Sequence, residues 1–106
     1  MAVTDSNKID FIGLDKESGK VILTISDHLN WEDEENHLVI LQEKLNTYIS
    51  FIESEEVHIE YPESIRRQLQ IDIKFKFKPT TNANDFMQKV KDVLSSISVD
   101  FSTSVL

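Results

Sequence analysis

The stretch WEDEENHLVILQEKLNTYISFIE, residues 31–53, decides the fold of this chain. Its apolar residues recur at spacings of three and four, and at about 100° per residue such side chains share one face of a helix. No proline or glycine interrupts the stretch. The pattern predicts a long helix over residues 31–53 that packs on a sheet through Leu38, Leu41, Leu45, Tyr48, Ile49 and Ile52.

The two segments that precede this helix have the pattern of β-strands. IDFIGL, residues 9–14, is short, β-branched and aromatic, and KVILTIS, residues 20–26, alternates its side chains between two faces. The loop between them, DKESG, is polar, and Gly19 can adopt the positive φ that a tight connection needs. The sequence therefore predicts a β-hairpin over residues 9–26.

The second half of the chain predicts further strands and one more helix. Residues 57–61 alternate and predict a short edge strand, which Pro62 ends. LQIDIKFKF, residues 69–77, alternates throughout, as in an antiparallel sheet with one face in water. Residues 82–97 return to helical spacing and residues 99–105 alternate as a closing strand. The apolar face of the second helix consists of Phe86, Val90, Val93 and Ile97.

Together these elements predict one α+β domain with the order β-β-α-(β)-β-α-β. The expected architecture is a two-layer sandwich: a mainly antiparallel sheet of four to five strands with two helices on one face. Residues 1–8 are polar and predict a flexible N-terminus, followed by a single domain over residues 9–106. The side chains expected to be largely buried are Trp31, Leu41, Leu45, Ile71, Ile73, Phe75, Phe86 and Val90.

The negative charge of the chain is concentrated in one segment. The formal net charge is −8, and residues 31–60 alone contain nine acidic side chains and one basic side chain. Such a surface repels nucleic acid and attracts a basic protein. No apolar run is long enough to cross a bilayer and the first residues do not resemble a secretory signal, so the sequence predicts a cytoplasmic protein without membrane contact.

The stretch SDHLNWEDEENHL, residues 26–38, is the strongest candidate for chemistry. It also has the features of a helix start, with Asn30 as N-cap and acidic residues in the first turn. The alternative is a metal site or a small metal-dependent enzyme built on Asp27, His28, Asp33 and His37. The two histidines are nine positions apart, unlike helical ligand pairs, and no HExxH or EF-hand pattern occurs. The sequence therefore predicts no catalytic residue, no metal and no cofactor, with His28 and His37 as the weak candidates.

A second apolar spot lies outside the predicted core face of the long helix. Ile40 and Phe51 are eleven residues apart and point in one direction, with Lys44 between them. Such a spot is explained by cover from another part of the chain, by a second subunit or by a foreign protein. If it is an interface, acidic residues would form its rim. The candidate partner-binding residues are Glu32, Asp33, Ile40, Lys44 and Phe51.

The chain resembles a family of small uncharacterised bacterial proteins, a domain of unknown function. The resemblance lies in IDFIGLD, in VILTISDHLNWEDEENHLVILQEKLNTYISFIES, in the following YP and in IDIKFKFKP, and it covers most of residues 9–79. Where such sequences favour a glycine after the helix, this chain has Ser54 and Glu55. The resemblance implies a bacterial cytosolic domain and implies no activity.

These observations favour a non-catalytic acidic domain that acts through protein–protein contact, as a homodimer or with another protein. One alternative is an immunity-type protein that neutralises a basic toxin, since charge complementarity speeds such encounters. The other is the small metal-dependent enzyme that uses Asp27, His28, Asp33 and His37. Whether the acidic segment, residues 31–60, binds a partner or only keeps the chain solvated stays open at this point.

Overall fold

A computed structural model describes residues 3–106 of the chain. Four strands form one sheet in the order β1-β2-β3-β4, and the two long helices predicted from the sequence are present together with one short helix. The strands are β1 (Phe11–Leu14), β2 (Val21–Asp27), β3 (Leu69–Phe75) and β4 (Asp100–Val105). The helices are α1 (Glu34–Glu53), α2 (Glu56–Glu60) and α3 (Thr81–Ser96). The α+β class is confirmed.

The pairing of the strands differs from the prediction. Strands β1 and β2 form the predicted antiparallel hairpin, with Gly19 at a φ of 74° in the connecting loop. Strands β2 and β3 are parallel, and so are β3 and β4. The prediction of a mainly antiparallel sheet is therefore wrong. Each parallel pair is joined through a helical crossover, which returns the chain to the end where the previous strand began.

One face of the sheet carries both long helices, as predicted. Crossovers of this kind are almost always right-handed, and two that advance in the same direction along a sheet place their helices on the same side. The inward side chains of β2 and β3 are buried, whereas the alternate residues of both strands are more exposed. The alternation that suggested an antiparallel sheet thus reflects a parallel sheet covered on one face only.

The segment predicted as an edge strand over residues 57–61 is helical. It forms α2, which turns away from α1 because Glu55 adopts a left-handed conformation with φ of 65°. Glycine is the residue that takes this conformation most readily after a helix, and in this chain Glu55 takes it instead. A short 3-10 turn, Pro62–Ser64, follows and leads the chain towards β3.

The core contains most of the side chains expected there. Leu41, Leu45, Ile71, Ile73 and Phe75 are buried as predicted, whereas Trp31, Phe86 and Val90 are only half-buried. Phe86 and Val90 were wrongly predicted because α3 is rotated about its axis, and Trp31, which precedes α1, packs against the core without being enclosed by it. The buried residues of α3 are Ala83, Met87 and Leu94, and Phe86 and Val90 lie instead along the cleft between α3 and α1.

The chain preceding β1 packs against the rest of the domain. Val3 is buried and its backbone N–H donates to the carbonyl of Ser26 at 2.9 Å. Part of the predicted flexible segment, Met1 and Ala2, lies outside the described residues, and its flexibility stays a prediction. No helix within residues 3–106 combines the length and hydropathy needed to cross a bilayer.

Candidate functional site: an acidic groove beside helix α1

A groove of about 730 Å³ separates the segment before β1 from the C-terminal half of α1. We call it the acidic groove; its lining consists of Asn7 and residues 9–12 on one side, Asn46, Thr47, Ser50 and Phe51 of α1 on another, and Glu56 and Glu60 of α2 at its end. The last two are four residues apart and so lie on one face of that short helix. The lining among the described residues has three carboxylates, of Asp10, Glu56 and Glu60, and no basic side chain.

Apolar side chains accompany these carboxylates. Ile9, Phe11, Ile12 and Phe51 also line the groove. Phe11 is 71% exposed although it stands in a strand. A surface that combines exposed aromatic area with charges of one sign is suited to a ligand with an apolar stem and an opposite charge.

A buried ion pair lies beside the groove. Lys44 of α1 is fully buried, and its Nζ lies 2.8 Å from Oδ1 of Asp10, whose side chain is 4% exposed. The same Nζ donates to the backbone carbonyls of Asp5 at 2.6 Å and Lys8 at 2.7 Å. All three ammonium N–H donors are therefore used. Lys44 fastens the segment before β1 onto α1.

Tyr48 completes this fastening one turn further along α1. Its hydroxyl accepts the backbone N–H of Asp10 at 2.8 Å and donates to the carbonyl of Thr24 at 2.6 Å. Burial raises the pKa of the Tyr48 phenol above its usual value of 10.0, so that the neutral form that makes both hydrogen bonds persists in alkaline solution. Asp10 is thus fixed by its backbone and by one carboxylate oxygen.

The other carboxylate oxygen of Asp10 has no such partner. Oδ2 is buried, and no donor of the described residues lies within hydrogen-bond distance of it. Buried polar atoms are almost always hydrogen-bonded, and an unpaired one costs about 1–3 kcal/mol, more when it is charged. Asp10 lines the acidic groove, so this unused acceptor lies beside the groove, just beneath its surface.

The stretch over residues 26–38 forms a second buried cluster, at the other end of α1. His37 is 2% exposed, and its Nε2 lies 2.6 Å from Oδ2 of Asp27. Its Nδ1 lies 2.9 Å from the carbonyl of Asn30, which can only accept, so Nδ1 carries a proton. The ring of Trp31 stacks on the imidazole with centroids 3.7 Å apart. Both ring nitrogens of His37 thus contact oxygen atoms of the protein, and the indole of Trp31 covers one face of the imidazole.

A comparison with protein families identifies the family of the chain. A family model described as a family of unknown function, DUF6572, matches residues 1–106.

The chain belongs to DUF6572.

This membership confirms the resemblance found in the sequence. Neither a curated protein nor a solved structure matches the chain significantly. The function of this DUF6572 chain must therefore be inferred from its own residues.

The structure does not bring the residues of the predicted metal site together. Asp27 pairs with His37, but His28 is exposed, and Asp33 is the N-cap of α1, where its side chain accepts the N–H of Asn36 at 3.3 Å. The prediction that Asn30 is the N-cap was wrong; its side chain accepts the N–H of Glu32 in the preceding turn. Within residues 3–106, no group of three or more histidine, aspartate and glutamate side chains is arranged to hold a metal ion.

The candidate partner-binding residues do not form one patch either. Glu32 and Asp33 are exposed at the start of α1, whereas Phe51 lies near its end, and a helix of 20 residues spans about 30 Å. Lys44, expected between the two apolar residues at the surface, is buried under residues 5–10. Of the five candidates, Phe51 lines the acidic groove. Partner binding by this set stays a prediction.

Three groups of the groove were missed in the sequence. Asp10 lay within a predicted strand, and nothing local indicates that it pairs with a lysine 34 positions away. Glu56 came directly before the strand wrongly predicted over residues 57–61, and Glu60 lay within it. Their spacing of four, directly after a long helix, was the signal that could have revealed a common helical face.

Proposed function

We propose that this DUF6572 chain is a non-catalytic protein-binding domain whose acidic groove takes a basic segment of a partner protein. The observation that carries the proposal is the groove lining, in which three carboxylates and four apolar side chains occur without a basic residue. The surrounding charge supports it, because residues 31–60 contain nine acids and one base. Such a field steers a basic partner towards the surface and raises the association rate at low salt.

The His37 cluster supports the absence of catalysis. A catalytic or metal-binding imidazole needs one ring nitrogen that can reach a substrate or a metal. In this chain one nitrogen donates to a backbone carbonyl and the other contacts Asp27. The histidine therefore holds the end of β2 against the start of α1.

A charge-reversal experiment tests the proposal. Glu56→Lys with Glu60→Lys inverts the charge at the end of the groove, and both positions are exposed, so the fold should be retained. Glu32→Lys with Glu35→Lys makes the same change in net charge at the other end of α1 and is the matched control. Proteins captured by the wild type from a lysate of the source organism are purified, and their dissociation constants for all three chains are measured by calorimetry at low and high salt.

The expected result is a basic protein that binds the wild type and the control, and binds the groove variant far more weakly. Equal binding by all three chains, or equal loss in both variants, would show that the groove is not the binding surface. Light scattering tests the homodimer version: a dimeric mass that becomes monomeric in the groove variant alone would make a second copy the occupant. The immunity-type version requires that the captured protein inhibits growth when produced alone and not together with this chain.

A further inference from the structure

The unpaired Oδ2 of Asp10 restricts which chemical groups a ligand of the acidic groove should carry. Two neighbouring donors of the fold are already used: Lys44 donates its three N–H groups to Asp5, Lys8 and Asp10, and Tyr48 donates its only proton to the carbonyl of Thr24. Because Asp10 lines the acidic groove, a ligand in the groove lies next to this carboxylate and can supply a donor for Oδ2.

The carboxylates of α2 determine the charge of that donor. Glu56 and Glu60 line the same groove as Asp10, no basic side chain of residues 3–106 lines it, and the neighbouring Lys44 is already paired. A neutral donor would satisfy one oxygen and leave the two glutamates without compensation. A cationic donor interacts with all three groups, and hydrogen bonds between charged partners are about twice as strong as neutral ones.

The aromatic wall favours arginine over lysine. A guanidinium has five N–H donors in a planar fork, so it can bond Oδ2 of Asp10 and still meet a second carboxylate. It is less strongly hydrated than an ammonium, and it stacks on aromatic rings, of which Phe11 and Phe51 line the groove. We propose that the acidic groove is an arginine-binding site, in which a partner's guanidinium donates to Oδ2 of Asp10 while its methylene stem lies on Phe11. This inference rests on the proposed function, because it specifies the ligand of the same groove.

The experiment uses small probes and does not require the partner. Nα-acetyl-arginine amide, the lysine analogue and the uncharged citrulline analogue are titrated into the ¹⁵N-labelled chain, and backbone shifts are followed by NMR. We expect saturable shifts in residues 7–12 and 46–51 for the arginine probe. Citrulline, which keeps the shape and lacks the charge, should bind at least about tenfold more weakly, and the lysine analogue should bind more weakly than arginine.

Two kinds of variant locate the site. Asp10→Asn with Lys44→Met removes both charges of the buried pair at similar volume, and should weaken arginine binding about tenfold or more. Phe11→Ala removes only an exposed ring and should weaken it roughly two- to fivefold; because this ring is outside the core, the variant serves even if the double variant unfolds. Phe77→Ala, another exposed aromatic, is the matched control and should bind like the wild type.

The inference is overturned if citrulline or lysine amide binds as well as arginine amide, or if Asp10→Asn with Lys44→Met and Phe11→Ala both retain wild-type affinity. Failure here is distinguishable from failure of the proposed function. If the captured basic protein is lost by Glu56→Lys with Glu60→Lys while the probes show no arginine preference, the groove binds a partner without an arginine anchor. If neither probe nor protein responds to the groove variants, both proposals fail.

Discussion

Helix α1 contributes one side chain to each of two buried pairs with an aspartate, which are similar in burial but differ in how completely the aspartate is hydrogen-bonded. His37 pairs with Asp27 at 2.6 Å, and Lys44, two turns later on the same helix, pairs with Asp10 at 2.8 Å. At the first pair, Oδ1 of Asp27 also accepts the N–H of Leu29 at 3.1 Å, so both carboxylate oxygens are used. At the second, Oδ2 of Asp10 has no donor among the described residues.

Both pairs are buried, so burial does not distinguish a structural pair from a candidate binding group. The number of carboxylate oxygens that have a hydrogen-bond partner does. The His37 pair is closed by a stacked indole and has no unused acceptor. The Asp10 pair borders a groove of about 730 Å³ that contains two more carboxylates. A carboxylate whose hydrogen bonding is complete in the folded chain has little left to offer a ligand, whereas an incomplete one gains on binding.

The largest effect is expected from breaking the Lys44–Asp10 pair, in which Oδ2 of Asp10 has no donor among the described residues. Lys44→Ala leaves the buried carboxylate of Asp10 uncompensated and removes two hydrogen bonds to the backbone of residues 5–8, which should lower the free energy of unfolding by about 3–5 kcal/mol. Urea denaturation measures this change in the free energy of unfolding. The double variant Asp10→Asn with Lys44→Met should regain the part of the loss that comes from the isolated charge, whereas the two hydrogen bonds to the backbone stay lost. A loss below about 1 kcal/mol for Lys44→Ala would indicate an exposed pair, contrary to the structure.

A comparable loss is expected from the apolar residue that stands between the two pairs. Leu41 is fully buried, one turn after His37 and one before Lys44, and Leu41→Ala should cost about 2–5 kcal/mol through lost burial and the cavity it leaves. The same denaturation experiment applies, with exposed Val39→Ala on α1 as control. An unchanged stability would contradict the assignment of this helix face to the core.

The His37–Asp27 pair should tolerate replacement of its carboxylate by an amide. In Asp27→Asn the amide can still accept the N–H of Leu29 and donate to Nε2 of a neutral His37, while Nδ1 keeps its bond to Asn30. We expect a loss of only about 0.5–1.5 kcal/mol in the free energy of unfolding. A loss as large as that for Lys44→Ala would mean that the first pair depends on its charge as much as the second, and the distinction between them would fail.

The smallest effect concerns the carboxylate that joins the starts of α1 and α3. Glu34 accepts hydrogen bonds from Thr80 and, at 3.2 Å, from Asn82, and these bonds hold its pKa below the usual 4.5. A depressed pKa in the folded state adds stability above pH 4.5, and this stability is lost as the pH falls through the lower folded value. Glu34→Gln should therefore show a smaller drop in Tm between neutral and acidic pH than the wild type. Equal drops would show that Glu34 is not bonded in this way.

Much of the fold followed from local pattern, and the failures share one cause. The hairpin, α1, β3, α3 and β4 were predicted because each has its own period along the chain. Parallel pairing and the rotation of α3 were not, since they depend on how crossovers return and which helix faces meet. A helix stripe indicates the buried side only approximately; the stripe predicted on α1 missed His37 and Lys44, both of which are buried.

The candidate site was harder to predict from the sequence for the same reason. Asp10 and Lys44 are 34 residues apart, and a single sequence does not reveal a contact over that separation. The acidic surplus of residues 31–60 drew attention to the first turn of α1, where acids stabilise the helix end. Of the two glutamates of α2 that line the groove, Glu60 lay within the segment misread as a strand and Glu56 directly before it.

The position of the single tryptophan gives this chain a built-in optical probe. Trp31 stacks on His37, contacts Phe75 and donates its indole N–H to the carbonyl of Phe77 at 3.2 Å. Its emission therefore reports on the junction of β2, β3 and α1, and the acidic groove contains no indole of its own. Tryptophan fluorescence can accordingly follow this junction separately from groove occupancy, which the NMR titration records.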